Sequence, residues 1–164
     1  MAAYLGIDLG TTHTKAGLFD ETGRALQIAA RPALVERSPH GYSYYDPERL
    51  WQALQALLDE LLAPGSGLPN SAERLPAAVG VASMAETGLL LDPHSGAARA
   101  PLLPWFDPLA AEQAERLRAA ATAQDFLRRG LRPSAKYGLM KLLWLQQRQP
   151  ELLDGAVWLS AADY

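Results

Sequence analysis

The spacing of apolar and polar residues changes period along this chain. Residues 4–9 form a short apolar run of β-compatible side chains, closed by Gly10-Thr11-Thr12. Residues 15–20 alternate toward Phe19 and end in the turn Asp20-Glu21-Thr22-Gly23; residues 25–30 supply a third run. Short runs separated by turn residues predict strand, tight loop, strand, turn, strand: a β-meander. The aromatic segment 41–45 predicts a further short strand. The period then lengthens. Leu50, Trp51, Leu54, Leu57, Leu58, Leu61 and Leu62 recur at helical spacing and give one broad apolar face. Asp46 stands where an N-cap belongs, and Pro47 occupies the first helical position, where its missing N–H costs nothing. Pro64-Gly65-Ser66-Gly67 predicts the stop, and the polar stretch on to Pro76 predicts a surface loop.

Residues 77–84 predict a buried strand, 88–92 a second short strand, and 93–96 a turn. Asp107-Pro108 repeats the cap-and-proline start and predicts a helix to about residue 121, with Asp107 as its N-cap. Ser134 is the predicted cap of another helix, with Tyr137, Met140, Trp144 and Leu145 on its apolar side and Pro150 just past its end. The Leu and Trp stripes of the helices are read as core. Residues 157–159 predict a last strand. A meander, a helix, a strand returning to the sheet and then further helices make a mixed α/β layer structure. The ending Ser160-Ala161-Ala162-Asp163-Tyr164 falls where a new helix begins, and is read as a cut.

Composition narrows the classes of function. With 164 residues, 49% of them hydrophobic and 20% charged, the chain is expected to fold as one domain, or one and a fragment of another. The net charge of −3, with basic residues scattered and the densest group only Arg128, Arg129 and Arg132, argues against a nucleic-acid partner. The absence of cysteine excludes disulfide frameworks, thiolate catalysis and Cys-ligated metals. The start of the chain lacks a basic segment leading into an apolar one, and no apolar run is long enough to cross a bilayer. A soluble cytoplasmic protein is expected, with no membrane partner.

The candidate chemistry lies in Gly6-Ile7-Asp8-Leu9-Gly10-Thr11-Thr12-His13-Thr14-Lys15. A Gly- and Thr-rich hairpin turn gathers N–H groups and hydroxyls into a concave set of donors suited to phosphate oxygens. Gly10 lets the backbone approach an anion closely. Asp8 is a hard oxygen ligand suited to Mg²⁺, through water rather than directly. Lys15 supplies positive charge where negative charge builds on a transferring phosphoryl group. The segment is neither a P-loop nor a Rossmann fingerprint. Taken residue by residue, an ordinary β-hairpin remains the alternative.

GIDLGTTHTK followed by AGLFDETGR resembles the N-terminal phosphate motif of the FGGY carbohydrate kinases, members of the actin/Hsp70/sugar-kinase superfamily. HGYSYYDPERLWQAL is similar to the family's aromatic, Asp-Pro and Trp-helix segment; VGVASMAETGLLLDPHSGAARAPLLPWFD to its substrate-side strand, hairpin and Trp-x-Asp segment; KYGLMKLLWLQQRQPELL to its Lys-Leu-x-Trp-Leu helix; and WLSAADY to its following strand. The order is the family's, over nearly the whole chain. The resemblance implies a ribonuclease H-like, actin-type ATPase domain of class α/β, incomplete, with residues 1–164 as the N-terminal kinase domain and the C-terminal domain absent. It implies transfer of the ATP γ-phosphoryl to a sugar or polyol hydroxyl, with ATP and Mg²⁺ as cofactors. Asp8, Gly10, Thr11, Thr12 and Lys15 would then face the phosphates, with Asp8 serving the metal. Glu86 would hold substrate hydroxyls, Trp105 would pack against the carbon skeleton, and Tyr137 or its neighbour Lys136 would stand at another substrate-contacting aromatic position.

Each of these has a plainer reading beside it. Glu86 is otherwise a solvated charge in a β-turn and Trp105 a core side chain; His13, in the phosphate turn, is a donor to phosphate or, as the plainer reading, points to solvent. His13, His40 and His94 are too scattered in sequence to compose a metal site. Ala85 and Leu109 stand where relatives carry Arg, which leaves the substrate open. The carboxylate that takes the hydroxyl proton, the second phosphate loop and the adenosine pocket all belong, by the resemblance, beyond residue 164. The chain by itself is therefore expected to be inactive, and an uncovered domain interface is expected to promote self-association. A sugar-binding or regulatory module, or another actin-superfamily phosphotransferase, are the alternatives.

Overall fold

The computed structural model of the protein describes residues 2–63, 75–130 and 132–164. The predicted helix stop at 64–67 and most of the predicted loop after it lie outside these residues. The first elements are β1 (Tyr4–Leu9), β2 (His13–Phe19), β3 (Ala25–Pro32), β4 (Val35–Arg37) and β5 (Ser43–Tyr45), followed by helix α1 (Pro47–Leu62). Next come β6 (Ala78–Ser83), β7 (Gly88–Leu91), α2 (Ala111–Ala120), α3 (Ala123–Arg129) and α4 (Gly138–Arg148). A 3₁₀ turn at Pro150–Leu153 and β8 (Val157–Ser160) complete the order. The chain divides into two units, Met1–Leu34 with Asp46–Met84, and Val35–Tyr45 with Ala85–Tyr164.

The first unit is a four-stranded sheet in the order β3-β2-β1-β6. The meander pairs antiparallel, and β6 returns parallel to β1 after α1. Parallel return requires a crossover, which the α1 segment supplies. Alternation assigns Leu5 and Ile7 of β1 and Ala16 and Leu18 of β2 to one face, where they pack with Ala29, Leu57 and Leu61. Leu18, Leu57 and Leu61 are completely buried, each contributing roughly 1.5–3 kcal/mol relative to exposure. The opposite face carries Gly6 and Asp8 of β1 and Lys15 and Gly17 of β2. Asp46 caps α1 as predicted, its side chain accepting from the N–H groups of Glu48 and Arg49, with Pro47 at the first position. Arg31 of β3 pairs with Glu60 of α1 at 2.6 Å.

Two expectations for this unit need correction. β6 is a strand but not a buried one: Val79 and Val81 are half-exposed. The strand lies at the sheet edge, and α1 packs over β2 and β3. Trp51 is likewise 43% exposed rather than core, because it sits on the flank of the α1 stripe whose centre is Leu50, Leu57 and Leu61.

In the second unit, β4 pairs with β5 and β7 with β8, both antiparallel. One core gathers Leu90, Ala100, Leu103 and Leu145; another gathers Ala110, Ala114 and Met140. Asp107 is not the N-cap of α2. It is buried, with Oδ2 accepting the Ser43 N–H at 2.7 Å and Oδ1 the Leu109 N–H at 2.9 Å; α2 starts at Ala111 without a side-chain cap. Ser134 does not cap α4 either. Its carbonyl accepts the Tyr137 N–H in a preceding turn, and the helix begins at Gly138. β4 and α3 are elements that the apolar spacing does not predict, although α3 opens on a capping box between Thr122 and Asp125. Among the described residues no helix is long and apolar enough to cross a membrane.

Candidate functional site

The Gly-Thr turn joins β1 to β2 in the first unit. Strand register sets Asp8 opposite Lys15 and Leu9 opposite Thr14, and the turn closes by a hydrogen bond from Gly10 N–H to the His13 carbonyl at 3.0 Å. A Cβ on Gly10 would lie 2.8 Å from that carbonyl oxygen. Glycine is thus required by the turn's own closure, a reason additional to any approach by an anion. Asp8 Oδ2 and Lys15 Nζ are 3.8 Å apart, and both side chains are half-exposed. A pair this exposed contributes at most about 1 kcal/mol to stability, so both groups stay hydrated and open to exchange partners. The Thr12 carbonyl accepts the Ala33 N–H at 2.9 Å, which ties the turn to the end of β3. His13 is exposed, with Nδ1 3.3 Å from Thr12 Oγ1.

One carboxylate, one ammonium and Thr hydroxyls about a tight turn form a donor set that suits phosphate and a hydrated cation. Among the described residues no three His, Asp or Glu side chains group into a metal cage. A single half-exposed carboxylate such as Asp8 has the chemistry to meet a hydrated cation through that cation's own water. A groove of about 460 Å³ runs from Asp8 and Lys15 along Gly6, Gly17 and Gly80.

The second unit brings the other three predicted residues together. Glu86 has φ 59°, a left-handed conformation unusual for a residue with a Cβ. Its Oε2 accepts the Gly138 N–H at 2.7 Å, so a carboxylate 52 residues away in sequence caps α4. Its carbonyl accepts from Lys141 Nζ, which also donates to the Lys136 carbonyl at 2.8 Å. Lys141 is completely buried. Burial pushes its ammonium down to about 8, against the upward pull of the Glu86 and Asp107 charges. Thr87, also buried, accepts the Trp105 N–H on Oγ1 at 3.2 Å and the Ala161 N–H on its carbonyl at 3.0 Å. Trp105 is 42% exposed, which excludes the core reading, and its ring meets Phe106 edge-on at 5.8 Å. Tyr137 immediately precedes Gly138, and the Lys136 ammonium lies over its ring at 5.1 Å.

Hydrogen bonds through Thr87, Gly138 and Lys141 thus link the backbone segments that carry Glu86, Trp105 and Tyr137. Thr87 and Lys141 lie in segments that carry the family resemblance, yet the sequence pattern gives neither a role. The signal for Lys141 was present: a charge on the same helical side as Tyr137, Trp144 and Leu145. A separate cavity of about 810 Å³ in this unit is lined by Arg37, Tyr42, Asp107, Trp144 and Arg148, and by none of the predicted site residues.

The chain has clear relatives. It is 33% identical over 144 residues to a glycerol kinase of Gloeobacter violaceus, covering 87% of this chain and 28% of that protein. It is 30% identical over 149 residues to a xylulose kinase of Escherichia coli, covering 91% of this chain and 29% of that protein. The crystal structure of xylulose kinase from Rhodospirillum rubrum superposes with a TM-score of 0.85 at 28% identity, over 99% of this chain and 33% of that one. Plasmodium falciparum glycerol kinase with ADP shares the fold, with a TM-score of 0.86 at 20% identity over 98% of this chain and 33% of that one. The mixed sheet with flanking helices is therefore that of the actin-like sugar kinases. The chain spans less than a third of the length of the curated relatives it matches. The match to the family described as "FGGY family of carbohydrate kinases, N-terminal domain" runs over residues 3–163, and the chain belongs to that family.

Proposed function

We propose that the protein to which this chain contributes transfers the γ-phosphoryl of ATP to a hydroxyl of a sugar or polyol in the cytoplasm. The observation that carries this reading is the Asp8–Lys15 pair, held across β1 and β2 beside a turn that only glycine closes. Gly10, Thr11 and Thr12 would cradle phosphate oxygens, and Lys15 would meet the charge that grows on them during transfer. Mg²⁺, when bound, supplies electrostatic stabilisation of the phosphates, and Asp8 would hold it through water. In the second unit, Glu86 would accept from substrate hydroxyls, while the half-exposed Trp105 ring and the Tyr137 ring would cover the carbon skeleton. The family membership and the glycerol and xylulose kinases among the relatives support this substrate class.

Phosphoryl transfer also needs a carboxylate aligned with the attacking hydroxyl, a role that none of the residues assigned above fills. The chain by itself is proposed to bind without turnover. Isothermal titration with glycerol, xylulose and MgATP, together with an ADP-release assay on the purified chain, tests both parts. Binding of a polyol with no ADP release is the expected result. Polyol-dependent ADP release would overturn the division of labour, and failure to bind any polyol would remove the assignment of Glu86. Self-association through the uncovered edge strand β6 is proposed as well, on the exposure of Val79 and Val81.

A further inference from the structure

Lys141 is fully buried on the apolar side of α4, where an ammonium that loses its hydration needs hydrogen bonds in its place. It makes two, both to backbone carbonyls, those of Glu86 and Lys136. Neither acceptor is a carboxylate, so direct ion pairing does not explain the residue; the nearby charges of Glu86 and Asp107 only ease its burial. The two bonds have a geometric effect instead. One acceptor belongs to Glu86, whose φ of 59° is strained for a residue with a Cβ and needs surrounding contacts to persist. The other belongs to the residue before Tyr137, at the entry to α4. Tying both to one nitrogen sets the separation between the Glu86 turn and the first turn of the helix, where Glu86 Oε2 accepts the Gly138 N–H. A carboxylate held by one oxygen keeps acceptor capacity on the other.

We infer that Lys141 is the positioning residue of the polyol site: its ammonium joins the Glu86 and Lys136 backbones and so aims the Glu86 carboxylate beside Tyr137. This rests on the reading of Glu86 as a hydroxyl-binding residue. If Lys141 were only core filling, an apolar chain of similar length would replace it without consequence for its neighbours.

Lys141→Met in the ¹⁵N-labelled chain, followed by amide hydrogen exchange and by titration with glycerol and xylulose, separates these roles. The expected result is Gly138 N–H exchange faster by about tenfold or more, with the β7–β8 amides unchanged. Affinity for whichever polyol the wild type binds falls by at least about tenfold in the same variant. Unchanged Gly138 protection in a folded Lys141→Met chain overturns the inference. Lost protection with unchanged polyol affinity overturns its functional half. A wild-type chain that binds neither polyol, while Lys141→Met still loses Gly138 protection, removes the Glu86 reading and supports the positioning role. Should Lys141→Met not fold, the wild type decides: an ammonium held by two carbonyls is protected from exchange at about pH 6, and an unprotected one overturns the inference.

Discussion

At Gly10 the missing Cβ serves the backbone before it serves any ligand. The atom that a methyl group would meet is the His13 carbonyl oxygen, not the end of a flexible side chain, so the turn itself has to open. Gly10→Ala is expected to lower the unfolding free energy by about 1–3 kcal/mol in urea titration; a variant as stable as the parent would show that the turn opens freely. Lys141 makes a prediction in pH. Its folded value of about 8 lies below the ordinary 10.5, so between these values the unfolded chain binds more protons than the folded one. The stability contributed by this residue therefore rises with pH across that window and is flat below it. Urea midpoints of the wild type should gain on those of Lys141→Met between about pH 7.5 and pH 10; a constant difference would contradict the buried ammonium. The residues of the two candidate sites differ in how legible they are. Asp8 and Lys15 announce themselves by sharing one hairpin, whereas Lys141 acts on Glu86 across 55 residues, and a one-dimensional pattern carries no sign of a carbonyl that far away.

Element boundaries were legible where the signal is local. β1 keeps the predicted span Tyr4–Leu9, and α1 begins at Pro47 behind its Asp46 cap, because alternation, capping and proline act within a few residues. The same logic misassigned Asp107 and Ser134, whose sequence context imitates a cap. In Asp107 the competing partner is the Ser43 N–H, 64 residues away, and in α4 the cap comes from Glu86. Asp107→Ala removes both acceptors at once and leaves the Ser43 N–H without its partner in a buried residue. A loss of about 1–3 kcal/mol is expected from the unsatisfied donor; thermal melts of this variant beside the parent would check it, and an unchanged melting temperature would mean that water replaces the carboxylate. β4 was missed because Val35–Arg37 is only three residues long, too short for a period to show.

At the scale of the whole chain, the order of meander, helix and returning strand was readable from period alone, but burial was not. Residues 78–83 look like a core strand because their composition is apolar; position at the edge of the sheet decides otherwise. Apolar composition identifies what a surface can pack against, not whether the chain in hand supplies the cover. Val79→Lys and Val81→Lys are expected to shift the sedimentation profile toward the monomer at high concentration, and identical profiles for variant and parent would dismiss β6 as the associating edge. The two units also interleave along the chain: residues 35–45 leave the first unit before α1 is made, and their partners arrive only later. Tyr45 exchanges backbone hydrogen bonds with Leu102, and Ser43 donates to Asp107. The residues that β4–β5 bonds to outside its own hairpin, Leu102 and Asp107, are thus made only after the whole of the first unit's sequence. No single cut in the chain therefore releases either unit intact.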